Sequence, residues 1–593
     1  MPISPTRSVV SRSLRLWLLA ALTGVAAGLI AIALLRLIGV VTNVVFFGRI
    51  GTSIPDIVHP WLGPLIVVVP IIGGLVVGLM ARYGTPQIKG HGIPEAMEAI
   101  LTRDSRVSPR VALYKPLSIV VAIGTGGPFG AEGPIIQTGG AIGSLMGQIL
   151  SLSPIERRIL LGCGAAGGMA AVFGTPVAAV VLAVELLLFE YRTRSLVPLA
   201  ITAVVATSVR YGLTGSGPLF AVGDVRFGLP GTMPWYIMFG VLCGVLAVAA
   251  THLLYRVEDA FDRLPVNEML KPALGGVALG IIGLSVPRVL GVGYGTIEAL
   301  LNNHLAVAIV VLVFVFKFVA LILSLGAGTS GGLLAPLFMT GAALGILFAD
   351  LANLTGMGAL DPRAFAVTGM AAIFGAAART PFALIIFAFE ITQDYDAVLP
   401  LMLVVVIAVG VAEFMQPHDT IMTRKLVRRG LRVPQGYEAD PLTMVTVGEV
   451  LAPAPCTVAP NTPLSELTRL WLTRSPDDGA RGAFAAVVDD DGMLVGLITQ
   501  TDILRASNQA ATDDDRSAQD IAATELVFIG QDQTLRDAAE AMLLNGVGHL
   551  PVEDSRRPGA ARGFVTHRDL LEGHRRRHTQ EMAPGRAVRA APG

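Results

Sequence analysis

Two related stretches of sequence decide the fold. The first is GTGGPFGAEGPIIQTGGAIGSL (Gly124–Leu145), and the second is GAGTSGGLLAPLFMTGAALGIL (Gly326–Leu347), which begins 202 positions later. The residues that recur at the same spacing in the second stretch include Gly124, Gly126, Pro134, Thr138, Gly139, Ala141 and Gly143, which match Gly326, Gly328, Pro336, Thr340, Gly341, Ala343 and Gly345. Self-similarity at a fixed offset indicates an internal duplication.

Further pairs keep the same order along the chain. GMAAVFG (168–174) matches GMAAIFG (369–375), and each is followed by a Thr-Pro pair and then by a glutamate, Glu185 or Glu390. GHG (90–92) and GVG (291–293) form a fainter pair, and Lys115 and Lys317 share a register. Small residues also repeat by chance in packed membrane helices, but three ordered pairs favour duplicated halves. Many transporters are built this way and bind their substrate between the halves.

The composition places these halves in a membrane. Of the 593 residues, 53 % are hydrophobic and 15 % charged, against about 45–50 % and about 25 % in soluble domains. Uncharged runs such as Leu16–Leu35 and Pro60–Met80 are long enough to cross a bilayer as helices. Lys+Arg and Asp+Glu balance at 44 each, which gives no basic character for nucleic acid. The three cysteines have no CxxC spacing, so neither a disulfide framework nor a cysteine metal site is expected.

The distribution of charge predicts the orientation and the domains. Basic residues flank the apolar region at both ends, which puts both termini in the cytoplasm, although solvated helix ends would look similar. They are Arg7, Arg12 and Arg15 at the entry and Arg424, Lys425, Arg428 and Arg429 at the exit. We expect a multi-pass protein of a bacterial inner membrane. The predicted parts are a membrane domain (1–432, with repeats at about 60–190 and 265–395), a linker (433–445), two α/β units (446–507 and 517–574) and a basic disordered tail (575–593).

The duplicated segments predict an anion site. GAEGP (130–134) and GLLAP (332–336) each lead from glycine into a proline-containing helix start, which breaks a helix inside the membrane. Such a start exposes backbone N–H groups and the positive end of the helix dipole, and both stabilise an anion. Irregular backbone at that depth is tolerated only where it is buried or lines a cavity.

Glu132 is the single charge between Lys115 and Glu156. An ionisable residue within a membrane is costly and is by default a functional hypothesis. Its carboxylate would occupy the N–H cradle when ionised and leave it when protonated, so that it would act as gate and proton carrier. The alternative is a buried structural carboxylate. We expect Glu185 and Glu390 to be structural and to accept hydrogen bonds from loop amides.

At these residues the sequence resembles the CLC family of chloride channels and proton-coupled chloride transporters. The three signatures that carry the resemblance are GHGIPE (90–95), GAEGP and GLLAP. The resemblance implies antiparallel repeats, a homodimer with one pore in each subunit, and bound chloride. It also implies that Glu132 is the gate. The remaining anion-binding positions that it implies are His91, Gly92, Ile93, Gly130, Leu333, Leu334 and His418.

Several positions depart from the family pattern. Ala131 stands where an arginine or lysine is common, and His91 replaces the usual inner serine. The usual inner tyrosine aligns with His418, or alternatively with Met422. An imidazole that faces the pore would sense pH, whereas a neutral histidine bonded to backbone would not. Leu186 replaces the inner proton-transfer glutamate, and leucine cannot carry a proton.

The region after the linker contains GLITQTDIL (496–504) and GFVTHRDLL (563–571), which resemble the CBS repeat. In that family paired repeats often bind adenine nucleotides. By resemblance the contacting residues would be Thr499, Asp502, Thr566 and Asp569, whereas a purely structural pair would bind none. No cofactor is required otherwise, and no P-loop, HExxH or GxSxG motif suggests an enzyme.

The sequence thus predicts an all-α polytopic membrane protein with a duplicated CLC-type fold and an α/β CBS pair. The expected function is chloride transport gated by Glu132, with passive, channel-like conduction favoured because of Leu186. The alternative is a proton-coupled chloride antiporter. An alternative of another class is a membrane-anchored nucleotide sensor without transport. Nitrate, fluoride and bicarbonate remain open beside chloride.

Overall fold

The structure is a computed structural model, and it describes residues 5–217, 219–220, 222–356, 359–431, 442, 445–454, 456–472, 484–509, 516–554 and 557–582. The chain forms two compact units, the first within residues 1–437 and the second within residues 438–583. Most of the predicted linker and the last eleven residues of the predicted tail, 583–593, lie outside the described residues.

The described part of the first unit is helical. In chain order its helices are α1 (Pro5–Phe47), α2 (Val68–Tyr83), α3 (Ile93–Thr102), α4 (Pro109–Gly124), α5 (Glu132–Ile149), α6 (Pro154–Phe173), α7 (Pro176–Ala183), α8 (Thr193–Thr214), α9 (Met233–Asp262), α10 (Lys271–Ser285), α11 (Tyr294–Leu301), α12 (Val307–Gly326), α13 (Leu334–Leu354), α14 (Pro362–Ala378), α15 (Pro381–Thr392), α16 (Val398–Met415) and α17 (Arg424–Arg428). Within the described residues, seven helices are long and apolar enough to cross a membrane. The polytopic helical prediction is confirmed.

Local sequence sets where these helices start and stop. Proline occupies the first turn of α6, α7, α14 and α15, where its missing N–H costs nothing. Ser153 and Glu156 form a capping box at the start of α6, which satisfies two backbone donors that the helix leaves unpaired. Gly126 and Gly328 follow the ends of α4 and α12 at φ values of +98° and +84°, a left-handed region open mainly to glycine.

Glycine pairs bring helices into close contact in both halves. A methyl group on Gly164 of α6 would lie 2.5 Å from the carbonyl carbon of Gly139 in α5. The same arrangement recurs in the other half, where a methyl group on Gly369 of α14 would lie 3.1 Å from the carbonyl carbon of Gly341 in α13. Such close approach is the use of small residues in membrane helices, and it explains why Gly139 and Gly341 recur in the repeat.

Two buried lysines hold equivalent loops in the two halves. The Lys115 Nζ donates to the carbonyl oxygens of Ile88 and Gly90, both at 2.8 Å. The Lys317 Nζ donates to those of Val289 and Gly291, at 2.9 and 2.8 Å. Both lysines are fully buried. The sequence match between Lys115 and Lys317 therefore corresponds to the same structural task in each repeat.

The second unit contains the α/β elements. They are α18 (Val447–Val450), β1 (Thr457–Val458), α19 (Leu464–Leu472), β2 (Phe484–Val488), β3 (Leu494–Thr499), α20 (Gln500–Gln509), α21 (Ala518–Ile521), α22 (Leu535–Asn545), β4 (His549–Asp554), β5 (Arg557–Thr566) and α23 (His567–Met582). Strand β2 pairs parallel with β1 and antiparallel with β3, and β4 pairs antiparallel with β5. The ring centroids of Phe484 and Phe564 lie 5.0 Å apart, and this contact joins the two α/β units, 446–507 and 517–574.

The predicted disordered tail is wrong for its first eight residues. Helix α23 continues through Met582 rather than ending near residue 574. The helix gains support from the Arg575–Glu572 ion pair, with a shortest N–O distance of 2.8 Å at i,i+3 spacing, a spacing that places two side chains together on a helix.

Candidate functional site

The two broken helices meet at their starts. The Gly130 N–H donates to the Gly332 carbonyl at 3.1 Å, and the Gly332 N–H donates back to the Gly130 carbonyl at 2.9 Å. This bridge is antiparallel, so the chain enters α5 and α13 from opposite directions. The N-terminal ends of α5 and α13 therefore lie together, as the sequence predicted from GAEGP and GLLAP.

Glu132 is the first residue of α5, and only 1 % of its surface is exposed. Its Oε1 accepts a hydrogen bond from the Tyr294 hydroxyl at 3.1 Å. The N–H of Ala335, in the first turn of α13, is directed at the same carboxylate. Oε2 is buried without a hydrogen bond of ordinary geometry to any described residue. It lies so close to Gly130 that a side chain there would overlap it, and a methyl group on Gly332 would lie 3.1 Å from it.

In this geometry the Glu132 carboxylate occupies the position where a free anion would bind. It is a negative group seated where two helix starts and a hydroxyl converge, which is the environment that such starts offer to a free anion. An anion could take the same place only after the carboxylate has left. Protonation weakens every contact that depends on its charge, so proton binding releases the carboxylate and favours anion entry at the same place.

The backbone positions of the predicted site are buried around this junction. Leu333 precedes the first residue of α13, Leu334, and both are 3 % exposed. The first four N–H groups of a helix have no partner within it, so apolar side chains here do not prevent backbone binding of an anion. Gly92 and Ile93 form the start of α3, where a methyl group on Gly92 would lie 2.7 Å from the Gln137 side-chain oxygen of α5.

His91 lies at the edge of a second polar region. Its side chain is 6 % exposed, and its Nδ1 is buried without a hydrogen bond to any described residue. A cavity of about 100 Å³ is lined by His91 together with Glu95, Tyr255, Glu258 and Lys425, among others. Lys425 pairs with Glu95 at 3.2 Å. His91 therefore contacts a charged, partly open cavity.

The structure does not support His418 as a pore residue. His418 follows α16 and is exposed. Met422, the other candidate, is fully buried, and the neighbouring Ile421 carbonyl is the group that faces the His91 ring. The Tyr255 hydroxyl of α9 donates to that carbonyl at 3.0 Å. The apolar Ile421–Met422 segment, rather than a second histidine, thus lies opposite His91.

Leu186 lies in a wider helical turn, a π-helix at Val184–Leu188 that continues α7. It is 3 % exposed. The cavity beside it has a volume of about 10 Å³ and is lined by apolar residues such as Ile136, Met169 and Leu187. A buried water needs at least about 10–15 Å³ and several polar partners. The space around Leu186 therefore holds no chain of waters that would replace the missing carboxylate.

Glu185 and Glu390 have a structural role, as predicted, but they cap helices of the opposite half and bind amides of the first helical turn rather than loop amides. Glu390 of α15 accepts hydrogen bonds from the N–H groups of Val177 and Ala178 at 3.1 and 2.8 Å. Glu185 accepts one from Ala383 at 3.0 Å. Glu390 thus caps the start of α7, which leads to Glu185. Glu185 in turn caps the start of α15, which carries Glu390.

The candidate nucleotide residues cap their own helices. The N–H and hydroxyl of Thr499 donate to the Asp502 carboxylate at 2.8 and 2.6 Å. Thr566 donates to Asp569 in the same way, at 3.0 and 2.8 Å. Asp569 is only 1 % exposed. These bonds give both aspartates a structural role, and their contact with a nucleotide stays a prediction.

Sequence reasoning missed Tyr294. This residue begins α11 and follows GVG (291–293), the fainter of the repeated segments. Its counterpart in the first half is Ile93, which follows GHG, so the repeat marked the position but gave no hint of a hydroxyl. Only the folded chain shows that Tyr294, 162 positions from Glu132, contacts the Glu132 carboxylate.

Comparisons with known proteins match both units of the chain. The family model described as voltage gated chloride channel matches residues 73–413, and the CBS domain model matches 447–509 and 518–574. A relative named putative chloride channel protein ClcB-like, from Ralstonia nicotianae, is 32 % identical over 354 residues, which cover 58 % of this chain and 81 % of that protein. The H(+)/Cl(-) exchange transporter ClcA of Salmonella paratyphi B is 28 % identical over 428 residues, covering 70 % and 90 %.

Solved structures show the same architecture. A slow cyanobacterial Cl-/H+ antiporter matches with a TM-score of 0.61 and 25 % identity, over 70 % of this chain and 98 % of that one. A eukaryotic CLC transporter matches with a TM-score of 0.62 and 20 % identity, over 94 % and 98 %; this second likeness is one of fold alone. From the helix starts that meet at Glu132 and from these matches, the chain belongs to the CLC family of voltage-gated chloride channels and transporters, with a tandem pair of CBS domains after its membrane domain.

Proposed function

We propose that this protein is a proton-coupled chloride antiporter in which Glu132 is both gate and proton carrier. The observation that carries the proposal is the position of the Glu132 carboxylate, which is buried at the joined starts of α5 and α13. A carboxylate that competes with the transported anion for one cradle links each anion exchange to a protonation step.

The comparisons favour this alternative over the passive conduction that the sequence favoured. Relatives in Salmonella and Vibrio campbellii are named H(+)/Cl(-) exchange transporters, and the solved structure that is 25 % identical is titled a Cl-/H+ antiporter. Leu186 was the reason to expect a channel. Its apolar surroundings mean that an exchanger of this kind takes its inner proton by another route, not that protons are excluded.

Passive chloride conduction is the second candidate, and two observations favour it. One is the small apolar pocket at Leu186. The other is the ClcB-like relative, which is named a putative chloride channel protein. In that case Glu132 would open and close the pathway without carrying protons across.

The deciding experiment is proton movement during chloride efflux from proteoliposomes, with no imposed pH gradient. An antiporter takes up protons as chloride leaves, driven by the chloride gradient, and Glu132→Ala abolishes that uptake while chloride still moves. A matched control is Glu413→Ala, which changes an exposed glutamate in α16. Chloride flux without proton uptake in the parent protein would establish a channel, and no chloride flux would favour the nucleotide-sensor alternative.

Two further parts of the proposal rest on family resemblance. We propose a homodimer with one pore in each subunit, which analytical ultracentrifugation in detergent tests. We also propose that the CBS pair binds an adenine nucleotide. Calorimetry with ATP on the full chain tests this, with Asp502→Ala as the variant that should weaken binding.

A further inference from the structure

Tyr294 provides the one side-chain hydrogen bond that the described residues give to Glu132. Its hydroxyl lies 3.1 Å from Oε1. Lys317 is the nearest cation that acts on this carboxylate, but its Nζ is already bonded to the carbonyl oxygens of Val289 and Gly291. Lys317 therefore acts on Glu132 through electrostatic attraction at a distance, whereas Tyr294 forms a directional hydrogen bond with it.

The ring of Tyr294 is held in a fixed frame. It packs edge-on against Phe173, with ring centroids 6.4 Å apart, and against Phe220 at 6.2 Å. Phe173 in turn packs on Phe387 at 4.8 Å. Arg210 of α8 is the charged group that faces Tyr294, and it donates to the Val172 carbonyl. The hydroxyl is thus pre-positioned by α11 and by aromatic contacts, not by Glu132 itself.

A phenol donor distinguishes the two states of the gate. Hydrogen bonds in which one partner is ionised are about twice as strong as bonds between neutral groups. The bond from Tyr294 therefore stabilises the ionised, seated carboxylate more than the protonated one. Ala131, at the position next to the gate, offers no side-chain charge that would do the same.

We propose that Tyr294 is a positioning residue that latches ionised Glu132 in the anion cradle and so sets the pH at which the gate opens. The inference deepens the proposed function, since it rests on Glu132 as the gate. Helix α11 then takes part in gating through the Tyr294 hydroxyl. Neither the sequence motifs nor the backbone N–H groups of α5 and α13 provide such a group. The latch requires only the hydroxyl, so Tyr294→Phe removes it while keeping the ring packing.

The test measures chloride efflux from proteoliposomes as a function of pH for the parent and for Tyr294→Phe. A hydrogen bond to a charged group corresponds to roughly ten- to hundredfold in an equilibrium constant. We therefore expect the pH of half-maximal efflux to rise by about one to two units in Tyr294→Phe. Tyr236→Phe is the matched control, because Tyr236 is a fully buried tyrosine whose hydroxyl donates to the Phe227 carbonyl, away from the gate.

Two further variants show whether the effect passes through Glu132. In a Glu132→Gln background, where position 132 cannot ionise, Tyr294→Phe should cause no further pH shift. An equal shift in that background, or no shift in the single variant, would overturn the latch. If Glu132→Gln alone keeps normal proton coupling, the proposed function fails instead, whatever Tyr294 does.

If Tyr294→Phe loses chloride flux, a measurement of chloride binding still tests the latch. The seated carboxylate competes with chloride, so Tyr294→Phe should bind chloride about tenfold or more tightly at neutral pH by calorimetry in detergent. Tyr294→Leu removes the same hydroxyl and serves if the phenylalanine variant does not stay monodisperse. Unchanged affinity in a folded variant would count against the latch.

Discussion

The contact between α5 and α6 yields a sharp prediction, because α5 carries Glu132 at its start. In Gly164→Ala the new methyl group would lie 2.5 Å from the carbonyl carbon of Gly139. Ordinary carbon contacts are about 3.5–4.0 Å, so the two helices must separate by about 1 Å or more. Overpacking of this kind typically costs about 1–3 kcal/mol, against a gain of about 1 kcal/mol from replacing glycine in a helix.

Displacement of α5 would also move the gate. A misplacement of about 1 Å can cost on the order of a hundredfold in a site that depends on position, so we expect chloride efflux to fall by at least about tenfold. The assays are thermal unfolding in detergent and chloride efflux from proteoliposomes. Gly369→Ala, which overpacks the α13–α14 contact in the other half, should behave alike.

Gly212→Ala is the matched control, since no atom lies within 4 Å of a methyl group at this position in α8. It should unfold at the parental temperature or slightly above it and transport chloride normally. If Gly164→Ala were as stable and as active as Gly212→Ala, the close approach of α5 and α6 would not position the gate, and the reasoning would be refuted.

Three other predictions concern single side chains. Glu390→Ala should destabilise the membrane unit by about 1–3 kcal/mol, because α7 loses two charge-assisted bonds; thermal unfolding should show no such loss for the exposed Glu413→Ala. His418→Ala should leave chloride affinity unchanged in calorimetry, since His418 is exposed after α16, and a weaker affinity would return it to the site. In the CBS pair, burial and the neighbouring His567 lower the pKa of His549. The unfolded chain then binds the proton more readily, so the second unit should lose stability as pH falls below about 6.5, and His549→Gln should flatten that dependence in pulse proteolysis with urea.

The repeat made most of the membrane fold predictable. Matching glycines and prolines imply matching backbone turns, and matching lysines imply matching hydrogen bonds to backbone carbonyl oxygens. Lys115 and Lys317 do hold equivalent loops in this way. The role of Glu185 and Glu390 followed from the same register, because a carboxylate at a repeated distance from a helix start has repeated amides to bind. In these cases a local pattern and its tertiary partner are duplicated together.

The alignment of His418 and the extent of the tail were harder to predict. A distant match in a short segment such as HDTIMTRKL cannot fix register, and a shift of a few residues decides whether a side chain faces the pore or solvent. The basic composition after His574 suggested disorder, but charged residues also form solvated helices when pairs such as Arg575 and Glu572 meet at helical spacing.

By itself, the sequence determined a duplicated membrane protein with broken helices, a candidate gate at Glu132 and a CBS pair, because glycine, proline and isolated charge act through the local backbone. Only the tertiary structure decided which groups converge on the gate. The antiparallel Gly130–Gly332 bridge and the Tyr294 hydroxyl join positions distant along the chain. Such contacts depend on how helices pack in three dimensions, and no local pattern in one sequence records that packing.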